Sequence, residues 1–181
     1  MISRTSRKRT TRTDRRPQPV ALGLGSNEGD RELQLRQAIE TLAILLGDIE
    51  VSSPYRTRAL CSGDQPFFLN AAVVGTWRSE PENLLALCKG LEWAAGRRPG
   101  PRNGPRPLDI DLLLFGARVI QQPELTIPHP RLRERQFVLA PLAQIASDFP
   151  VPPDGVRVGE LLAALPAEQG VEKQEWTAPV P

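Results

Sequence analysis

Val20, Leu22 and Leu24 alternate with smaller residues and run into Gly25-Ser26-Asn27-Glu28-Gly29-Asp30, a period of two that predicts a strand ending in a polar turn. The spacing then changes. Leu35, Ala38, Ile39, Leu42, Ala43 and Leu46 recur at three and four residues, predicting a helix with Gly47 placed to end it. Residues 49–57 read as extended, and Phe68 to Trp77 as a second β-type run, joined by a loop from Arg58 to Pro66. Ser79, Pro81 and Glu82 open a second helix with capping-box spacing, its apolar positions at Leu84, Leu85, Leu87, Cys88 and Leu91 and its stop at Gly96. The proline- and arginine-rich stretch from Arg97 to Pro107 fits neither a helix nor a central strand. It predicts a long, mobile, cationic loop. Leu108 to Phe115 follows as a strand, Val119-Ile120 and Leu125 to Ile127 as a small hairpin, and residues 137–145 as a helix. This order, β-α-β-β-α-β with a short C-terminal elaboration, predicts an α+β ferredoxin-like fold: an antiparallel sheet with helices packed on one face.

Composition narrows the classes. A chain of 181 residues that is 40% hydrophobic and 24% charged suits one globular domain and excludes a coiled coil, a collagen-like chain or wholesale disorder. Its longest apolar run, around Ile110 to Phe115, is far too short to cross a membrane, so no membrane partner is expected. Two cysteines, Cys61 and Cys88, cannot make a disulfide framework, which favours a reducing, cytoplasmic setting; one histidine and no cysteine cluster argue against zinc.

The formal charge of +2 conceals an asymmetry. Residues 1–19 hold seven basic side chains against Asp14, whereas the remainder holds 16 basic and 20 acidic ones. The basic segment, residues 1–18, lacks apolar residues after Ile2 and is expected to be a disordered tail; it nearly lacks acids, as transit peptides do, but has no apolar face for an amphipathic helix. The folded domain is expected over residues 19–165 and a flexible C-terminal tail over 166–181. The count for this mildly acidic body demands no basic face, so the question of a nucleic-acid partner falls on the tail alone, and nucleic acid is not expected as a partner.

Asp109 and Asp111, two apart at a strand entry, place both carboxylates on one face, roughly 7 Å apart at Cα. Oxygen-only ligation of that kind suits Mg²⁺, which binds through one or two carboxylates plus substrate phosphates. Both acids emerge from the loop holding Arg97, Arg98, Arg102 and Arg106. Guanidinium forks beside a carboxylate-bound cation offer a polyphosphate charge neutralisation and bidentate grip. Gly23-Leu24-Gly25 lacks the third glycine of a dinucleotide fingerprint and reads as a strand-to-helix turn. His129, held between Pro128 and Pro130, could be aimed at phosphate, with Arg135 and Phe137 just beyond. Phe68 and Asn70 share a strand face, offering a ring for stacking and an amide to read a heterocycle's edge.

At this point the chain resembles the 6-hydroxymethyl-7,8-dihydropterin pyrophosphokinases of folate biosynthesis. The resemblance is carried by the segment Gly104-Pro105-Arg106-Pro107-Leu108-Asp109-Ile110-Asp111-Leu112-Leu113-Leu114-Phe115-Gly116, with Ala21 to Asn27, Tyr55-Arg56-Thr57, Asp64 to Val73 and Pro128-His129-Pro130-Arg131 in support. It implies transfer of pyrophosphate from ATP to the pterin hydroxymethyl group with release of AMP, in a monomer whose partners are these two small molecules. It also implies two Mg²⁺ ions on Asp109 and Asp111, a triphosphate gripped by Arg97 and Arg106, and Glu92, Arg98, Arg102, His129 and Arg135 on the nucleotide side. The pterin is expected between Phe68 and Phe137, its edge read by Asn70 and by backbone near Thr57 and Leu60. Lys89 stands where some members carry Gln, and Asn103 where some carry Trp. Two other classes share parts of the pattern. A palm-type nucleotidyltransferase also sets paired aspartates on such a sheet but releases pyrophosphate, and an RRM-type RNA-binding module would need aromatics where Leu112-Leu113-Leu114 stands.

Overall fold

The computed structural model describes residues 16–57, 67–100, 104–166 and 170–181. The basic tail through residue 15, the loop from Arg58 to Pro66 with Leu60 and Cys61, and Arg102 lie outside the described residues.

The alternating run near the N-terminus becomes strand β1 (Gln18–Ser26), and α1 (Arg31–Leu45) follows behind Asp30, whose Oδ1 accepts the Leu33 N–H at 3.1 Å as an N-cap. Leu35, Ala38, Ile39 and Leu42 form the buried side of α1, as their spacing predicts. The end of α1 differs from expectation. Gly47 does not cap the helix; it begins β2 (Gly47–Val51), where a Cβ would stand 2.6 Å from Thr76 Oγ1, so the glycine serves close approach to the neighbouring strand. The extended stretch divides at Pro54, giving β3 (Tyr55–Thr57), and β4 (Phe68–Trp77) has the expected limits. The second helix, α2 (Pro81–Ala94), begins one residue later than a Ser79 cap requires; Ser79 Oγ instead accepts from Asn83 Nδ2 at 2.7 Å. Gly96, at φ +96°, is the left-handed stop that the sequence signalled. Then come β5 (Asp109–Phe115), the hairpin β6 (Ile120–Gln121) and β7 (Thr126–Ile127), and α3 (Gln136–Ala146).

The main sheet is antiparallel, with order β3-β4-β1-β5 and β2 also paired to β4, so β1 lies between the strands bearing the amide and the carboxylates. Helices cover both of its faces, not one. Val20, Leu22, Leu24, Ile110 and Leu112 pack with α1 and α2; Ala21, Ala72, Leu113 and Leu114 pack with α3 and with α4 (Val158–Ala164), which follows a short β8 (Pro150–Val151) and β9 (Val156–Arg157) hairpin. The unbroken apolar run Leu112 to Phe115, buried throughout, is the local sign of a strand covered on both sides. Deleting one of these side chains, as in Leu113→Ala, should cost about 2–5 kcal/mol.

The C-terminal segment also departs from its expected flexibility. Val171–Lys173 forms β10, which pairs antiparallel with β3 and extends the sheet edge. No sequence signal longer than three residues marks it, because the ladder is made by backbone groups.

Candidate active site

Antiparallel register brings the predicted residues onto one face. Gly25 of β1 pairs with Asn70 of β4 on one side and with Asp109 of β5 on the other, and Gly23 pairs with Asp111. Paired residues share a face, so Asn70, Gly25 and Asp109 form one line across three strands. Gly25, expected to belong to a strand-to-helix turn, lies within the strand. A Cβ there would come 3.2 Å from Asn70 Oδ1, so its absence leaves a trough between the amide and the carboxylates.

On the carboxylate side, Asp109 takes the Arg97 guanidinium on Oδ1 and has Arg106 Nε 3.3 Å from Oδ2. Glu92, only 3% exposed, ties this group to the scaffold: its Oε1 accepts from Lys89 Nζ at 2.7 Å and the Ile110 N–H at 2.8 Å, and forms an ion pair with Arg97 Nη1 at 2.8 Å. One buried carboxylate thus links the end of α2, the arginine loop and the strand carrying both aspartates. Burial opposes the charge on Arg97, and the carboxylates of Asp109 and Glu92 more than offset it, holding the guanidinium above its ordinary range. Asp111 is a third exposed and faces His129, whose Nε2 is 3.8 Å from its Oδ2. The His129 N–H donates to Leu113 O at 2.9 Å and its Nδ1 accepts the Arg131 N–H at 3.2 Å, which assigns the ring proton to Nε2. Burial, opposed by Asp111 and reinforced by Arg135, lowers the His129 pKa and keeps the ring neutral. Arg135, also pulled down by burial, lies 5.4 Å from the Phe137 ring centroid at the start of α3.

The opposite side is neutral. Asn70 Nδ2 donates to Thr57 Oγ1 at 2.9 Å, both residues being 6% exposed, while Asn70 Oδ1 points over Gly25. Phe68 is half-buried, with the Arg106 guanidinium 5.9 Å from its ring centroid. Arg106 therefore lies at the boundary of the two sides.

A cleft of about 600 Å³ opens between the end of α2 and the arginine loop, walled by Lys89, Glu92, Trp93, Arg97, Arg98 and Arg106. Arg98 is not gathered with the carboxylates: it stacks 4.1 Å from the Trp93 ring centroid and donates to the carbonyls of Trp93 and Arg97 at 3.0 and 2.8 Å. Asn27, not singled out for chemistry by the sequence, does belong here. Fully buried, it accepts the Arg106 N–H on Oδ1 at 2.7 Å and donates its own N–H to Arg106 O at 3.2 Å, a two-point clamp that fixes the backbone under the Arg106 fork. An Asn after Gly-Ser reads as turn chemistry, and only its burial betrays the second role. Among the described residues no group of three or more His, Cys, Asp or Glu side chains converges.

The chain is similar to known proteins. Residues 21–147 match the model of the family described as 7,8-dihydro-6-hydroxymethylpterin-pyrophosphokinase. A 2-amino-4-hydroxy-6-hydroxymethyldihydropteridine pyrophosphokinase of Methylorubrum extorquens is 43% identical over 156 residues, covering 85% of this chain and 97% of that protein. The protein of the same name in Bacillus subtilis is 43% identical over 148 residues, covering 76% and 87%. The mitochondrial folate synthesis bifunctional protein of Arabidopsis thaliana is 45% identical over 129 residues, of which this chain spans 23% of the length. Among solved structures, a Plasmodium falciparum HPPK-DHPS A437G/K540E crystal structure with pterin and p-hydroxybenzoate superposes with a TM-score of 0.65 at 14% identity, over 83% of this chain and 44% of that one. At that identity the likeness is one of fold.

Proposed function

The chain belongs to the 7,8-dihydro-6-hydroxymethylpterin-pyrophosphokinase family, and from that premise we propose which of its residues carry each part of the reaction. The reaction itself is transfer of pyrophosphate from ATP to the hydroxymethyl group of 6-hydroxymethyl-7,8-dihydropterin. The hydroxymethyl oxygen gives up its proton to water and forms a bond to the β-phosphorus, the bond from that phosphorus to the α-bridging oxygen breaks, and AMP leaves. The observation that carries the assignment is the single line Asn70–Gly25–Asp109, which leaves only β1 between the amide suited to a heterocycle and the cluster suited to phosphate.

Asn70, braced by Thr57, reads the pterin edge through Oδ1, and the rings of Phe68 and Phe137 take its two faces. Backbone at Thr57 completes that edge, and Leu60, outside the described residues, is assigned to the same part of the pterin. Arg97 and Arg106 hold the triphosphate, exchanging the Asp109 carboxylate for phosphate oxygens, with Glu92 keeping Arg97 on the nucleotide side. His129, neutral and protonated on Nε2, donates to a phosphate oxygen, and Arg135 adds positive charge beside it. Arg98 extends the basic wall of the loop from its seat on Trp93, and Arg102, outside the described residues, is assigned to the nucleotide as well. Asp109 and Asp111 would hold two Mg²⁺ ions: a pair of carboxylates sharing a face suits hard cations that take their remaining ligands from phosphate. Bound there, such ions neutralise charge on the transferring group. The polypeptide's part is mainly positioning and electrostatics.

The chain acts in this reading as a cytoplasmic monomer on two small molecules; among the described residues no helix is long and apolar enough to cross a membrane. An assay with ATP and hydroxymethyldihydropterin should give equal AMP and pterin diphosphate. Free pyrophosphate with a nucleotidyl product would overturn the reading in favour of nucleotidyl transfer.

A further inference from the structure

β3, which carries Thr57, is three residues long and would be a sheet edge without β10. So short a strand with one open edge holds its geometry poorly. The C-terminal segment closes that edge along its whole length. Val171, Glu172 and Lys173 pair with Thr57, Arg56 and Tyr55; the Gln174 N–H donates to Pro54 O at 2.8 Å; Trp176 Nε1 donates to Ser52 O at 3.0 Å. The ring of Trp176 packs against the core shared by α1 and α2, and Thr177 closes the far end with two hydrogen bonds to Glu32 Oε1, at 2.7 Å from N and 2.6 Å from Oγ1. Residues 171–176 thus run beside 52–57 from end to end. All of this lies beyond residue 147, where the family match stops.

We propose that this C-terminal strap, anchored by Trp176, is a positioning element for the pterin half of the site. The route is short: β10 holds β3, β3 fixes Thr57, and Thr57 Oγ1 accepts from Asn70 Nδ2, orienting the amide whose Oδ1 faces the trough. Loss of the strap leaves Thr57 held by β4 alone, so the amide can rotate and the pterin meets an edge no longer preset. Among the described residues no hydrogen bond or ion pair joins the nucleotide residues on β5, α2 and the arginine loop to the strap. The inference rests on the assignment of Asn70 and Thr57 to the pterin.

The test uses the full chain with Trp176→Ala, and with Trp176→Phe, which keeps a ring in the apolar seat but loses the N–H bond to Ser52. Pterin affinity is read by ligand fluorescence, affinity for a non-hydrolysable ATP analogue separately, and amide exchange over residues 52–57 by mass spectrometry. Trp176→Ala should weaken pterin binding about tenfold, the scale of one lost orienting hydrogen bond, with nucleotide affinity within twofold and faster exchange at Tyr55 to Thr57. Trp176→Phe should fall between it and the parent. Pterin and nucleotide affinities falling together, or faster exchange with unchanged pterin affinity in either variant, would overturn the strap's role. Asn70→Ala in the parent separates the two ideas: retained pterin affinity there overturns the site assignment and the strap with it, whereas a weakened Asn70→Ala beside normal Trp176 variants overturns the strap alone.

Discussion

The two sides of the trough solve recognition by opposite means. The pterin side is neutral, nearly buried and already satisfied: Asn70 and Thr57 are each 6% exposed and bonded to one another. The phosphate side is charged and more open, and its groups are engaged with each other, Asp109 lying under the two arginines proposed to hold ATP. A preset neutral pocket limits the ordering cost of binding an uncharged ring. A self-neutralised cluster instead spreads the cost of holding like charges together until a ligand arrives to take the arginines. The first side should bind its ligand with little rearrangement, and the second should rearrange.

The strongest way to break this contrast is to remove charge without changing shape. Asp111→Asn should lower turnover roughly 10³-fold or more while leaving pterin affinity within about twofold, read by single-turnover rates and ligand fluorescence. Near-normal chemistry would remove Asp111 from the metal assignment. On the neutral side, Asn70→Ala should weaken pterin binding about 10- to 100-fold, the loss of one or two buried hydrogen bonds, with the KM for ATP little changed. Equal losses for both ligands would make Asn70 a core residue. Asn27→Ala probes the boundary. It removes the Oδ1 acceptor of the Arg106 N–H while keeping the backbone bond to Arg106 O, so stability should fall about 1–2 kcal/mol in urea and the KM for ATP should rise several-fold, more than that for pterin.

The smallest effect concerns Cys88, on the buried side of α2. Burial pushes its thiol up to about 12, so it should resist thiol reagents at pH 8 in the native chain and react fully in denaturant. The sign of the linked pH effect follows from that shift: above pH 9 the unfolded thiol ionises while the folded one does not, so stability contributed by the neutral thiol declines as pH rises.

Much of this was legible from residue spacing. The strand and helix order, the limits of β4, the Gly96 stop and the shared face of Asp109 and Asp111 follow from periods of two and 3.6 and from turn chemistry. What escaped depends on partners distant in sequence. Gly25 reads as a turn residue until register places it between Asn70 and Asp109, and Gly47 reads as a helix stop until Thr76 is brought against it. Arg98 looks like a phosphate ligand by its place in an arginine-rich loop, yet Trp93, exposed at the end of α2, competes for its guanidinium. The strap escaped because its ladder bonds are backbone bonds. The two-sided cover of the sheet was present in the unbroken run Leu112 to Phe115, which period-two reasoning passes over.

The central position of β1 sets a timetable for the growing polypeptide. Gly25 leaves the ribosome 84 residues ahead of Asp109, its partner on the β5 side. At 5–20 residues per second, that edge of β1 waits roughly 4–17 s for its partner, far longer than hairpins need to form. Throughout that interval an apolar strand bearing Val20, Leu22 and Leu24 has one unpaired edge, the form in which chains find wrong partners. Slow translation between the codons for residues 78 and 108 should therefore lower the soluble yield of this chain more than equal slowing after residue 116.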